Sequence, residues 1–363
     1  MLLAFGSNGS GQLGIRHEDD VSAPQTCALP PSFEAAAHVH IAAGGNHTLV
    51  LARSKPCSPD ALSSVMYASG DNSDGRCGNS SRRLNTFRHA DLRINNGAPL
   101  YDVKLCSATW EASIFVTTED AVFSCGTGLK GELGLGKEVT QATSPQLIIN
   151  FPPKDTRIVD LASSMGHTVA VLSNGDVYGW GQGRKGQLGH PAEICWEPRK
   201  IDGIGFKAVR AVCGKDFVYV VGTPEEGTHT VLGSDKWFVR STAPESIAGW
   251  KSISASWGGI YLLLESGKLI GWGRNDHGQL PPANIPLIEY FAAGSEHVLV
   301  RTKTGKILAW GWGEHGNCGA PTAAGGDDVA DRWNEIEVEG VVMGVAQSSL
   351  TTYEAVVGLH LDT

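Results

Sequence analysis

A ten-residue pattern that returns along the chain constrains the fold more than any other feature. It reads aromatic-Gly-x-[Asn/Gly]-x-x-Gly-[Gln/Glu]-Leu-Gly, and it starts at Phe5 as FGSNGSGQLG. Further copies start at Ser69, Cys125, Trp180, Trp272 and Trp310, and a worn copy, LGSDKW, starts at Leu232. Seven copies in 363 residues make about 52 residues per unit, a period that signals a repeat architecture. A second pattern lies between the copies: apolar-Ala-x-Gly-x-x-His-Thr, followed by a short apolar run. It reads IAAGGNHTLVL from Ile41, LASSMGHTVAVL from Leu161 and FAAGSEHVLV from Phe291. Degenerate versions start at Leu105, Ala211 and Ile253, and a poor last copy ends in a strand over residues 348–352.

A third element joins the second to the first. Residues 173–180, SNGDVYGW, read as strand, turn, strand, with Asn174-Gly175 as a type I′ hairpin turn. Ser266-Gly267 and Thr304-Gly305 stand at matching places. Each unit is thus a few short strands joined by tight glycine turns. Such a unit cannot bury both faces of its sheet alone, whereas units arranged radially cover one another. The expectation is an all-β, seven-bladed β-propeller that fills residues 1–363 as a single domain. The Trp ending the third strand of a unit should pack between neighbouring blades. Ring closure offers one strand too many, because residues 1–5 and 355–361 both suit the third-strand place. One end should complete the closing blade and the other pair at an edge.

Composition agrees with this and narrows function. Glycine supplies 46 residues and charged residues only 18%, against 41% apolar. That profile excludes disorder and argues against an all-helical chain. A net charge of −9 argues against direct nucleic-acid binding. No apolar run approaches the roughly 18 residues of a membrane span. The eight cysteines form no C-x-x-C and read as reduced, buried thiols. Residues 53–64 and 320–334 read as surface connections, the second mobile and acidic, where proteolysis should cut first. Residues 76–93 carry Arg76, Arg82, Arg83, Arg88 and Arg93, which read as a solvated loop between blades rather than an RNA contact.

No motif for catalysis emerges. GxxxxGK[ST], GxSxG and HExxH are absent, and the glycine-rich stretches are explained as repeat turns. His47, His167 and His297 recur at one repeat position and read as structural hydrogen-bonders. His315 and Cys318 are two possible ligands, too few for a zinc site. The expectation is therefore no catalytic residue, no bound cofactor and no metal.

The quoted motifs resemble the regulator of chromosome condensation repeat family, named for the nuclear exchange factor of the GTPase Ran. Within it the chain is similar to a small stand-alone fungal member that works with the Elongator complex. The similarity lies in AFGSNGSGQLG with His17-Glu18-Asp19-Asp20, in Gly214-Lys215-Asp216-Phe217, and in Gly294-Ser295-Glu296-His297 with WGWGEHGNCG from Trp310. The resemblance implies a non-enzymatic protein of the cytoplasm and nucleus that forms a heterodimer with a small zinc-binding electron donor. The pair would serve wobble-uridine modification of tRNA and diphthamide synthesis, and the zinc would belong to the partner. The alternative is a guanine-nucleotide exchange factor for a Ran-type GTPase, although no inserted wedge or basic tail is recognisable. An adaptor for ubiquitin ligation has no supporting motif.

In that family the Gly-x-x-His loops lie on a face open to partners. The partner-binding candidates are therefore Trp110, Glu111, Lys215, Asp216, Trp257 and Glu296, at or beside these loops, with Glu111 standing where His would. Glu314 and His315, from WGWGEHGNCG, join them on the rim. Two tryptophans on one face resemble a binding hot spot; the alternative is that they fill the mouth of a central channel.

Overall fold

A computed structural model describes residues 1–54, 64–79, 81–94, 97–320, 327–338, 342–346 and 357–360. Strand follows strand in antiparallel register, and six blades are each built from one contiguous stretch of chain. The first blade has Ala36–Ala43, His47–Ser54, Ser64–Asp71 and Arg83–His89; the second has Val103–Ala108, Ala112–Thr117, Val122–Thr127 and Gln141–Leu147. The third comprises Ile158–Ser164, His167–Leu172, Val177–Gly181 and Cys195–Lys200. The fourth and fifth have three strands each: Arg210–Cys213, Phe217–Val221 and His229–Gly233, then Trp250–Ala255, Gly259–Leu264 and Leu269–Gly273. Ile288–Ala293, His297–Thr302, Ile307–Trp312 and Asp328–Ile336 make the sixth.

The expected seven repeat-built blades are thus corrected to six. The remaining copy of the ten-residue pattern, at Phe5, builds no blade of its own. Its strand Leu2–Gly6 lies in a sheet drawn from both ends of the chain, in the order Val21–Thr26, Leu2–Gly6, Val357–His360, Val342–Ala346. Leu2 and Leu3 pair with Leu359 and Gly358, so both chain ends lie inside this sheet and neither pairs at an edge. The Ser7 amide donates to Asn317 Oδ1 (3.1 Å), which ties this sheet to the sixth blade.

Blade packing follows from the apolar runs. The second strands His167–Leu172 and Phe217–Val221 are buried along their whole length, because neighbouring blades cover both faces. An outer strand such as Arg83–His89 is buried only at Leu84 and Phe87. The predicted role of the strand-ending Trp holds. Trp180 Nε1 donates to the Glu132 carbonyl of the preceding blade (3.1 Å), Trp272 Nε1 to Val239 (2.8 Å) and Trp310 Nε1 to Gln279 (3.0 Å). The Asn of the ten-residue pattern closes its own loop: Asn8, Asn72 and Asn275 accept from the amides of Leu13, Cys77 and Leu280. The missing outer strand of the fifth blade has a plain cause, since Pro281, Pro282 and Pro286 cannot donate to a ladder.

Three local expectations change. In the hairpin at Asn174-Gly175 only Gly175 takes positive φ (+91°), and its amide donates to the Leu172 carbonyl (2.8 Å). This is a turn with a glycine bulge rather than a type I′ pair. The arginine-rich stretch is not a loop throughout, because it contains the outer strand Arg83–His89, and Arg76 is buried against Asp74. The acidic connection ends in the nine-residue strand Asp328–Ile336. Residues 55–63, 321–326 and 347–356, with the strand expected at 348–352, lie outside the described residues.

One core cluster runs from Ile114 and Val116 of the second blade through the third to Val218 and Val220 of the fourth. Blades that share their core in this way should melt together. Differential scanning calorimetry is expected to show one dominant transition, and two well-separated ones would mean independently folding parts.

Candidate functional site

The Gly-x-x-His loops turn from the first to the second strand of each blade. Their register is fixed by one recurring hydrogen bond, in which the first loop residue donates to the carbonyl of the fourth. It joins Gly44 to His47, Thr109 to Ala112, Gly214 to Phe217, Ser256 to Gly259 and Gly294 to His297, each at 2.8 or 2.9 Å. Ala112, not Glu111, therefore stands at the His position of the second blade, and Glu111 is the second of the two variable residues. The sequence misplaces this loop because Thr109 replaces its opening Gly.

In this register the first variable residues are Gly45, Trp110, Met165, Lys215, Trp257 and Ser295. The second are Asn46, Glu111, Gly166, Asp216, Gly258 and Glu296. The carbonyl of every residue in the second set accepts from the chain leaving the third strand, at Asp71, Thr127, Gln182, Ser234, Arg274 and Trp312. All six loops thus share one conformation and one rim. Neighbouring loops are also linked to each other: Gly45 N–H donates to Trp110, Trp110 to Met165, Lys215 to Trp257, and Trp257 to Ser295.

Trp110 and Trp257 meet although two blades lie between theirs. Their indoles stack with centroids 6.0 Å apart and planes 29° from parallel, so the contact bridges the ring. Gly45 seats this pair, because a Cβ there would lie 2.8 Å from the Trp110 indole. Lys215 Nζ lies 5.2 Å from the Trp257 centroid and is exposed. Glu111 is half exposed, with Oε1 4.0 Å from Arg76 Nη2.

Glu296 differs from the others in being buried (2% exposed). Its carboxylate accepts from Gln279 Nε2 (2.8 Å) and from Arg274 Nη1. Burial raises its pKa more than these two donors lower it. Its side chain therefore holds the rim together instead of facing a partner directly. Glu314 and His315 lie in the loop after Ile307–Trp312, where His315 Nδ1 lies 2.7 Å from Asp20 Oδ2. Their contacts join the sixth blade to the sheet of the chain ends, and no described contact links them to the tryptophan pair.

Of the recurring histidines, His47 has the expected side-chain hydrogen bond. His47 and His167 are fully buried, and His47 Nε2 lies 3.0 Å from Ser113 Oγ of the next blade. The seven described cysteines are buried and unpaired, and burial pushes the Cys106 thiol up to about 12. Among the described residues no group of three His, Cys, Asp or Glu converges as a metal-ligand set.

What the sequence reading missed is the neighbourhood of Trp257. A cavity of about 320 Å³ opens there, between the fourth and fifth blades, lined by Lys215, Lys236, Trp237, Trp257, Arg274 and Glu296 among others. Lys236 and Trp237 belong to the worn repeat copy at Leu232, and that departure from pattern was the available signal.

Comparison with known proteins agrees with this architecture. A family model described as "RCC1-like domain" matches residues 1–351. The Schizosaccharomyces pombe protein named "RCC1 repeat-containing protein C10F6.04" is 33% identical over 315 residues, which is 84% of this chain and 85% of that protein. The mouse "Secretion-regulating guanine nucleotide exchange factor" is 28% identical over 77% of this chain and 61% of its own length. Among solved structures, human WBSCR16 superposes with a TM-score of 0.78 at 17% identity, over 99% of this chain and 100% of that one. Prp20p of Saccharomyces cerevisiae, described with its binding to Gsp1p and histones, reaches 0.78 at 18% identity, over 99% and 92%. At these identities the two structures speak for the fold alone.

Proposed function

We propose that this chain, which belongs to the RCC1-like domain family, acts by binding a protein partner and not by catalysis. The partner is a small zinc-binding electron-donor protein, and the zinc stays with it. Through this heterodimer the chain supports Elongator-dependent wobble-uridine modification of tRNA and diphthamide synthesis, in the cytoplasm and nucleus. The observation that carries the reading is the rim of six loops, where large aromatics stand among polar groups. Trp110 and Trp257 stack at its centre, with Lys215, Asp216 and Glu111 around them. Interface cores favour aromatic anchors surrounded by polar groups that exclude water. The segments similar to the stand-alone fungal member support this choice of partner, and a fungal repeat protein is among the relatives.

A second reading has one observation in its favour, since a mouse relative is named as a guanine nucleotide exchange factor. In that case the same rim would receive a Ran-type GTPase. Affinity capture of the chain from its own cells, followed by mass spectrometry, separates the two. A small zinc protein recovered in stoichiometric amount supports the first reading. A Ran-type GTPase in its place would replace it with the second.

A further inference from the structure

The worn repeat copy at Leu232 keeps the loop geometry of its siblings while changing their chemistry. In six other copies the seventh residue of the pattern is a glycine with positive φ: Gly11, Gly75, Gly131, Gly186, Gly278 and Gly316, between +72° and +86°. Here the place belongs to Phe238, whose φ is +61°. The turn is the same one, because Phe238 N–H donates to Asp235 (2.9 Å) as Gly186 does to Gly183 (2.9 Å) and Gly11 to Asn8 (2.8 Å). The Asp235 carboxylate accepts from Arg240 N–H (2.8 Å), as Asn8 does from Leu13. A bulky side chain in this backbone region is strained, and such strain gathers at functional sites. Phe238 does not earn its place by packing, since it is 65% exposed.

Phe238 sits between two residues that line the cavity beside Trp257, namely Trp237 and Val239. The groups there without a described hydrogen-bond acceptor or ion-pair partner are mostly donors. Lys215 Nζ lies over the Trp257 ring and Lys236 Nζ over the Trp237 ring (5.0 Å), and neither has a described ion pair. Trp257 Nε1 is buried without an acceptor among the described residues. Arg274 is already committed to Glu296 and Asp276, so Asp216 is left as the lining carboxylate against two lysines. The cavity is therefore a positive, donor-rich spot in a protein whose net charge is −9. An anion satisfies it, and a carboxylate is the anion that a protein partner supplies; Phe238, exposed one residue from the lining Trp237 and Val239, offers an apolar surface nearby.

We propose that the cavity between the fourth and fifth blades is the docking site for an acidic segment of a protein partner. The segment's carboxylate enters between Lys215 and Lys236, and its neighbouring apolar side chain lies on Phe238. The inference rests on the reading of this chain as a binding protein, but not on the identity of the partner.

The test uses the full chain and a capped peptide of Glu and Asp flanking a single Leu, against the same peptide with Gln and Asn. Binding is followed by tryptophan fluorescence at low and high salt. The acidic peptide is expected to bind and the amide peptide to bind at least tenfold more weakly. Lys215→Glu with Lys236→Glu should abolish the difference. Phe238→Gly is the variant that separates recognition from structure. Glycine relieves the strained backbone, so Tm should hold or rise while peptide affinity falls severalfold. Equal binding of the two peptides, no binding of either, or indifference to the lysine reversal would overturn the proposal. If the acidic peptide binds but the small zinc protein does not, the proposed function fails while this site stands.

Discussion

Replacing Trp180 by Ala is expected to lower the unfolding free energy by about 3–5 kcal/mol, the usual cost of removing a large aromatic from a packed core. The indole is fully buried in the cluster that joins the second, third and fourth blades. It packs edge-on against Phe151 (centroids 5.7 Å apart, planes at 69°) and donates to Glu132 of the preceding blade. The truncation therefore opens a cavity and also leaves a carbonyl at the blade boundary without its donor. Trp180→Phe divides the two effects. It keeps most of the packing, so its loss should be about 1–3 kcal/mol, the range for an orphaned buried polar group. Urea unfolding followed by circular dichroism measures both. A loss below about 1 kcal/mol for the Ala variant would mean that neighbouring blades do not depend on this contact for their cover.

The second large effect is acid sensitivity. Burial pushes the pKa of His47 down to about 3 and that of His167 to about 4, from 6.5. Each ring is thus neutral in the folded protein under conditions where the unfolded chain would bind a proton. The sign follows from linkage: the unfolded state takes up more protons, so stability is complete above pH 6.5 and falls as pH drops toward the folded values. At pH 5 each histidine should have cost roughly 2 kcal/mol, at 1.36 kcal/mol per pH unit, and the two together roughly 4. The repeat itself suggests the control, because Phe217 occupies the same loop place as His167 in the next blade. His167→Phe should remove about half of the loss between pH 7.5 and 5 in urea midpoints. An unchanged pH dependence in that variant would show that His167 is not the group responsible.

Much of this architecture is legible in the sequence because the repeat specifies loops by residue type. Asn8, Asn72 and Asn275 each close a turn, and Trp180, Trp272 and Trp310 each reach the preceding blade, so a pattern seen at one copy predicts the contact at another. The reading fails where copies are worn or where partners come from distant segments. The copy at Phe5 matches the pattern without building a blade of its own, since the strands beside Leu2–Gly6 include residues 357–360, far along the chain. Glu111 was placed one position off because Thr109 replaces the Gly that marks the loop. Trp110 and Trp257 were recognised as loop residues of one face, but not as a stacked pair, because ring geometry sets the distance between the second and fifth blades. Phe238 is hidden in the sequence for a different reason. Its meaning appears only when its backbone is compared with the six glycines at the equivalent place.

If the six-loop rim receives a small zinc-binding protein, calorimetric titration of that protein into the chain should detect it. A one-to-one complex is expected with the wild type. Affinity should be lower by about 30-fold for Trp110→Ala and for Trp257→Ala, the weight of losing a central aromatic worth about 2 kcal/mol. Circular dichroism should be unchanged in both variants, since neither indole is among the fully buried core side chains. No complex with the wild type, or wild-type affinity in two folded variants, would contradict binding at this rim; in the second case the tryptophans only close the ring's centre.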